Sequence, residues 1–427
     1  MTSPESPTPT PERPPAHRVL LVVLWLVALA GYRAAATQLA SSPLYGRDNV
    51  CFRADTKRAL GDLVGTRLQD HNHTTGHPNF VIWHQPLGSA VREWYRAVDA
   101  ELKPAEARRQ AAPWVTAAAG ASAVVLMFSL LRQWLPSRRS LLFALIYGAS
   151  ASTVFYAAVP ETYIFSGLGL TAIAWAAGRR GRGANAAWLW SVVYAASNLT
   201  INFVPAVLWA GVRFPPRRAW RQAALSLLAS GLLLMALSLL QALIYPKTTL
   251  FFLPSSVGRE AGWLSWEVFT SPWPTLRTIA QHLWFTNIIS PEPRLVEVLG
   301  LPMASVESGD WGSIRPAAPL LCLWVVVLGG ALGGLCQRRA WSPPLLAAAS
   351  CLGFYAAFFS VFGHDRMLYT ALWTPMTILV AAIGTEFFLA RHARWARSWD
   401  ALLVILVLGM GWHHWHFLGK LAALVTA

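Results

Sequence analysis

Long apolar runs alternate with short basic connections along most of this chain. The clearest runs are 115–131, 222–245, 317–336 and 400–412 with its flanks. They match the ~20 residues a helix needs to cross the hydrocarbon core of a bilayer. The pattern predicts eleven crossings, at about 18–40, 113–134, 140–157, 161–178, 184–197, 199–212, 220–245, 316–335, 342–362, 367–390 and 400–418. The first stretch, Val19 to Gly31, resembles a secretory h-region, and Ala34-Ala35-Ala36 offers a small-residue cleavage site. Low polarity runs on to about Ala40 and ten spans follow, so the stretch is read as a retained first span. Residues 1–17 are rich in Pro, Ser and Thr and are expected to be a disordered cytoplasmic tail. The expected architecture is all-α: a polytopic transmembrane helical bundle in one domain, 18–427, with two long extracytoplasmic loops, 41–112 and 246–315.

Charge sets the orientation. With the N-terminus cytoplasmic, Arg132, Arg138 and Arg139, then Arg179, Arg180 and Arg182, then Arg213, Arg217, Arg218 and Arg221, then Arg338 and Arg339, then Arg391, Arg394 and Arg397 all fall on one side. That is the positive-inside rule. Sixteen of the 20 acidic residues fall on the other side. The scheme requires 184–212 to cross twice, as two short helices meeting near Asn198, which is expected to lie at the outer surface; one span plus a re-entrant segment is the alternative. Only 13% of the 427 residues are charged, against roughly 25% in soluble domains. The net charge of +15 is dispersed in clusters between spans, which excludes a nucleic-acid surface and leaves the bilayer as the partner. Cys51, Cys322, Cys336 and Cys351 form neither a disulfide framework nor a CxxC site.

The chemistry is expected in the outer segments. Asp55 and Asp62 are seven residues apart and share a helix face; a carboxylate there can act as general base or ligate a metal. Lys57 and Arg58 lie between them and can hold a phosphate. Ordinary solvated helix charges would give the same pattern. His71, His73 and His77 fall within seven residues but not at a standard zinc spacing, and His77-Pro78 reads as a rigid turn presenting one imidazole. Leu87, Val91, Trp94, Val98 and Leu102 form an apolar stripe suited to a helix in the headgroup layer or to packing on the protein's own loop. Glu161, after Pro160, reads equally as a functional carboxylate and as a first-turn helix residue. His364, Asp365 and Arg366 form a tight charged turn. Trp263, Trp266, Trp273, Trp284 and Trp311 suit membrane anchoring or sugar stacking, and the His413-His414-Trp415-His416 run reads as another interfacial edge.

These segments resemble the GT-C superfamily of membrane glycosyltransferases, which includes protein O-mannosyltransferases, arabinosyltransferases and lipid A sugar transferases. Asp55-Thr-Lys-Arg-Ala-Leu-Gly-Asp62 followed by His77-Pro-Asn-Phe resembles the first-loop motif of bacterial members. Pro160-Glu-Thr-Tyr163 and Arg366-Met-Leu-Tyr369 resemble their outer turns. The resemblance covers the architecture of most of the chain. Many members carry adjacent acids in the first loop and this chain does not, so Asp55 is the favoured base and Asp48 the alternative.

The resemblance implies an inverting hexosyl- or pentosyltransferase of the plasma (inner) membrane. It implies a polyprenyl-phosphate sugar donor and an envelope glycan, lipid or protein as acceptor. Asp55, Asp62 and Glu161 would be catalytic. Lys57, Arg58, His77, His364, Asp365, Arg366 and Tyr369 would bind substrate, and a divalent Mg or Mn ion could assist. A transporter or lipid flippase is the alternative function, and a non-catalytic envelope scaffold the third.

Overall fold

The computed structural model describes residues 14–426 except 41, 46, 66–74, 182, 215–218, 246–247, 299–300, 307–310, 338–341 and 364. His71, His73, His364, Arg182, Arg217, Arg218, Arg338, Arg339 and most of the N-terminal tail therefore lie outside the described residues.

The first apolar run forms α1 (Pro14–Ala40), and the first long loop then contributes α2 (Thr56–Val64) and α3 (Phe80–Val98). There follow α4 (Pro104–Leu131), α5 (Ser137–Ala149), α6 (Ala151–Ala158), α7 (Tyr163–Gly178), α8 (Ala184–Asn198), α9 (Phe203–Arg213) and α10 (Ala219–Ile244). The second long loop holds α11 (Pro254–Ala261), α12 (Glu267–Thr270), α13 (Pro272–Gln281), strands β1 (Arg294–Val298) and β2 (Leu301–Ser305), and α14 (Trp311–Ile314). The chain closes with α15 (Ala318–Leu335), α16 (Pro343–Val361), α17 (Thr370–Arg391) and α18 (Ala396–Thr426). The strands form an antiparallel hairpin with Arg294 opposite Ser305.

Among the described residues, seven helices are long and apolar enough to cross a bilayer, and the bent pair α5–α6 makes up to eight. This is a multi-pass membrane protein. Helices α7, α8 and α9 are shorter, at 16, 15 and 11 residues, so length alone does not reproduce eleven crossings. Helix α4 begins about nine residues earlier than the pattern placed it, at Pro104, because proline suits a first helical turn.

Burial sorts the bundle. Helix α17 is almost wholly enclosed, whereas α10 and α1 expose most of their apolar side chains, as lipid-facing helices do. At the α15–α17 crossing a methyl on Gly334 would come within 1.9 Å of the Gly384 carbonyl; only glycine lets the backbones approach so closely. Helices α5 and α6 meet at Ser150 at 58°. The N–H groups freed by that break are captured by the second long loop: Ala151 donates to Ile288 (3.0 Å) and Ser152 to Asn287 (3.1 Å).

Helices α8 and α9 form a hairpin. Arg180 donates to the Val212 carbonyl at 3.2 Å, and Arg213 to the Arg179 carbonyl and the Asn185 side chain, so the open ends meet. The tip reaches the first long loop, where Thr200 N–H donates to Gly76 at 3.0 Å. Asn198 is not exposed at this tip but buried, because it is consumed by hydrogen bonds to two histidines. On α3 the apolar stripe is divided: Leu87, Trp94 and Val98 are exposed, as suits a membrane interface, whereas Val91 packs against the core. The histidine run near the C-terminus is not uniformly peripheral: His414 is buried, bonded to Ala149 O (2.6 Å) and Ser290 N (3.3 Å) across the α5–α6 break.

Candidate active site

The site starts from a strained turn. Asn49, Phe52 and Arg53 have φ of 62°, 51° and 55°, a region costly for residues with a Cβ. The hairpin holds this turn: Ala304 N–H donates to Val50 (2.9 Å) and Phe52 N–H to Ala304 (3.0 Å). Phe52 is buried edge-on against Phe155 at 4.9 Å. Asp48 then caps α2, accepting from the N–H groups of Lys57 (2.9 Å) and Arg58 (3.1 Å). These bonds satisfy two donors a helix start would otherwise leave open. Asp48 thus has a structural task, and Asp55 is delivered to the N-terminal boundary of α2.

Three carboxylates surround one guanidinium. Arg58 Nε lies 3.3 Å from Asp55, Nη1 3.1 Å from Asp62, and Nη2 3.9 Å from Glu161. Asp55 and Asp62 are the i−3 and i+4 neighbours of Arg58 on one helix face; Glu161 comes from the α6–α7 turn. The Asp55 side chain is 35% exposed, Asp62 10% and Glu161 1%, so Asp55 is the carboxylate open to an incoming molecule. Glu161 is tied up: it accepts from the N–H of Asp55 (2.7 Å), and from the N–H (2.6 Å) and hydroxyl (2.9 Å) of Thr162. Burial pushes its pKa up to about 7, against the opposing pull of Arg58. For Arg58, burial works against the charge, but Asp62, Asp55 and Glu161 outweigh it and raise its pKa.

The second half of the site is joined through aromatic rings. His77 donates from Nδ1 to the Asn198 carbonyl, and its Nε2 lies 3.5 Å from the Thr162 hydroxyl. The Tyr163 ring sits 6.2 Å from His77 and 5.7 Å from Tyr369. Tyr369 stacks on Phe359 at 4.2 Å, and Asp365, Arg366, Asp55 and Arg53 all act electrostatically on it. Asp365 accepts from Met367 N–H at 2.9 Å, and Arg366 donates to the Gly363 carbonyl at 2.9 Å; both are buried. Gly363 has φ 76°, and a Cβ there would lie 2.4 Å from the Tyr369 hydroxyl, so this turn requires glycine.

Of the residues singled out from sequence, Asp55, Arg58, Asp62, His77, Glu161, Asp365, Arg366 and Tyr369 are therefore linked through direct contacts or shared neighbours. Lys57 lies on the exposed side of α2. Sequence reasoning missed Arg53, Thr162, Tyr163, Asn198 and His282. Thr162 and Tyr163 lie inside the Pro160-Glu-Thr-Tyr163 motif. His282 carried no signal: it sits on a π-helical turn, His282–Thr286, is buried, and is lowered to about pKa 4 by burial and by Arg366 nearby. π turns often mark functional positions. Asn198 was assigned to a loop tip, but its side-chain oxygen receives His84 at 2.8 Å.

A divalent ion would need several oxygens converging at about 2.0–2.6 Å. Among the described residues no group of three or more His, Cys, Asp and Glu is disposed to hold one. Asp55, Asp62 and Glu161 are instead spread around Arg58, so they do not fit a metal in this arrangement.

No protein-family model matches this chain, and no curated protein matches its sequence. Its fold is similar to that of ArnT from Cupriavidus metallidurans, solved bound to undecaprenyl phosphate, with a TM-score of 0.53 and 13% identity over 97% of this chain and 78% of that one. The Archaeoglobus fulgidus oligosaccharyltransferase aligns at TM-scores of 0.48 in the apo form and 0.44 with zinc and sulfate, each at 13% identity. These alignments span 95% and 94% of this chain but 56% and 53% of theirs. The fold defines the class: a multi-pass helical membrane protein with a bundle similar to that of ArnT.

Proposed function

We propose that this protein is an inverting glycosyltransferase that moves a sugar from a polyprenyl-phosphate donor to an envelope acceptor on the extracytoplasmic face. The observation that carries the reading is the part-exposed Asp55 carboxylate, oriented by Arg58 and by the bond from its own N–H to Glu161, and close enough to Tyr369 to act on it electrostatically. The similarity of fold to ArnT is consistent with it, although fold alone does not fix function.

In this reading Asp55 takes the proton of the acceptor hydroxyl. The acceptor oxygen bonds to the anomeric carbon from one face while the carbon–oxygen bond to the lipid phosphate breaks on the other, so the configuration inverts. The polyprenyl phosphate departs with its electron pair and is met by the positive charges of Lys57, Arg53 and Arg366. Asp62 and Glu161 hold Arg58, and His77 steadies the Glu161 turn through Thr162. The lipid tail lies among the apolar helices, and the exposed faces of α3 and of Trp263, Trp266 and Trp273 sit at the headgroup level.

The flippase alternative calls for ionisable groups near mid-membrane. Glu386 and Asp400 are instead paired with Arg139 and Arg138 at helix ends. Two assays test the transferase reading: mass analysis of envelope glycans with and without the gene, and transfer by the purified protein from sugar-loaded polyprenyl phosphates. A sugar missing from the envelope and restored by the gene supports it. An unchanged envelope together with an inactive purified protein overturns it.

A further inference from the structure

We propose that Arg58 occupies the place of a divalent cation among the three carboxylates, so that the site is organised by a guanidinium and operates without a metal. The inference deepens the transferase reading and rests on it only for its activity arm. Each nitrogen of the one side chain faces a different carboxylate, at 3.3 Å from Asp55, 3.1 Å from Asp62 and 3.9 Å from Glu161. A hard cation would draw those oxygens inward to a common centre; the planar fork of arginine holds them apart and fills the centre itself. The Arg58 side chain is only 13% exposed, and the surrounding carboxylates strengthen its charge. A buried arginine keeps its charge at every working pH and does not exchange with solvent, unlike a bound ion.

Arg58 is then a positioning residue, acting through Asp55. Its removal leaves carboxylates facing one another at a partly buried site. Such a cluster lowers its energy by taking up protons or a cation. Neutral substitution of Arg58 should therefore create a metal site that the natural protein lacks.

The test uses the full-length protein in lipid nanodiscs, dialysed against EDTA, with Mn²⁺ as the probe and the paramagnetic signal of free Mn²⁺ as the readout. The wild type should bind no Mn²⁺ tighter than about 1 mM. Arg58→Gln should bind one ion at about 10⁻⁴–10⁻³ M, the range of modest oxygen-ligand sites. Adding Asp62→Asn should weaken that binding about tenfold, and Arg58→Lys, which keeps the charge, should not bind. Wild-type transfer should be unaffected by EDTA, whereas Arg58→Gln should be impaired and partly rescued by Mn²⁺. Wild-type binding below 1 mM that disappears in Asp55→Asn overturns the proposal, as does a folded Arg58→Gln that binds nothing. If Arg58→Gln does not fold, the wild-type titration beside Asp55→Asn still decides. The Mn²⁺ measurement needs no sugar donor, so failure of the transferase reading remains distinguishable from failure of this one.

Discussion

Asp55 and Glu161 are both carboxylates at one site, but their surroundings divide their work. Asp55 is part-exposed beside a fixed cation; Glu161 is buried with both oxygens engaged. Asp55→Asn keeps the size and still accepts a hydrogen bond, but cannot take a proton. Transfer should fall about 10²–10⁴-fold with thermal stability unchanged; near-normal turnover would move the base elsewhere. Glu161 makes a separate prediction about pH. Its folded-state pKa of about 7 lies above the ordinary 4.5, so the folded protein holds this proton more tightly than the unfolded chain. The stability it contributes is full below about pH 4.5, declines as pH rises, and is lost above about 7, a difference on the order of 3 kcal/mol. Thermal unfolding between pH 5 and 8 should show that decline in the wild type and lose it in Glu161→Gln. The same decline in both proteins would show that Glu161 is not its source.

Single elements do little here alone; what matters is where two meet. The hairpin β1–β2 is small, yet Ala304 supplies both backbone bonds that hold the left-handed turn before Asp55. Ala304→Pro removes one donor and should release that turn. Misplacement of a catalytic group by about 1 Å can cost on the order of 10²-fold, so transfer should drop by about that factor while helical circular dichroism and membrane insertion are kept. Normal transfer by this variant would mean that the hairpin does not position Asp55. The α5–α6 break follows the same logic. Its N–H groups are satisfied by Asn287 and Ile288 from the second long loop, as a broken helix inside a membrane protein requires.

Across the whole molecule, orientation and convergence are separate questions. The basic clusters predict that position 181 faces the cytoplasm and that the α3 surface lies outside. In a cysteine-free background, an impermeant thiol reagent applied to intact cells should label a cysteine at Leu87 and not one at Gly181; the reverse pattern would invert the topology. The sequence by itself determined that this chain lives in a membrane, which stretches are helical and where the two long loops fall, because the cost of placing charge and backbone in hydrocarbon is paid locally, residue by residue. It also marked Asp55, Glu161 and the Arg366 turn, since isolated charges beside apolar spans stand out. Helix lengths were less legible: α4 and α18 run past their apolar cores, where propensity rather than hydropathy governs. Tertiary structure alone decided that Glu161 joins the two α2 carboxylates around one arginine, and that Asn198 is buried between His77 and His84. It also brought the unmarked His282 close to Arg366. The decisive contacts join segments far apart in sequence, such as the bond from Asp55 to Glu161 across 106 positions and that from His77 to Asn198 across 121. No local pattern encodes such a contact, because its energy exists only once the bundle has closed.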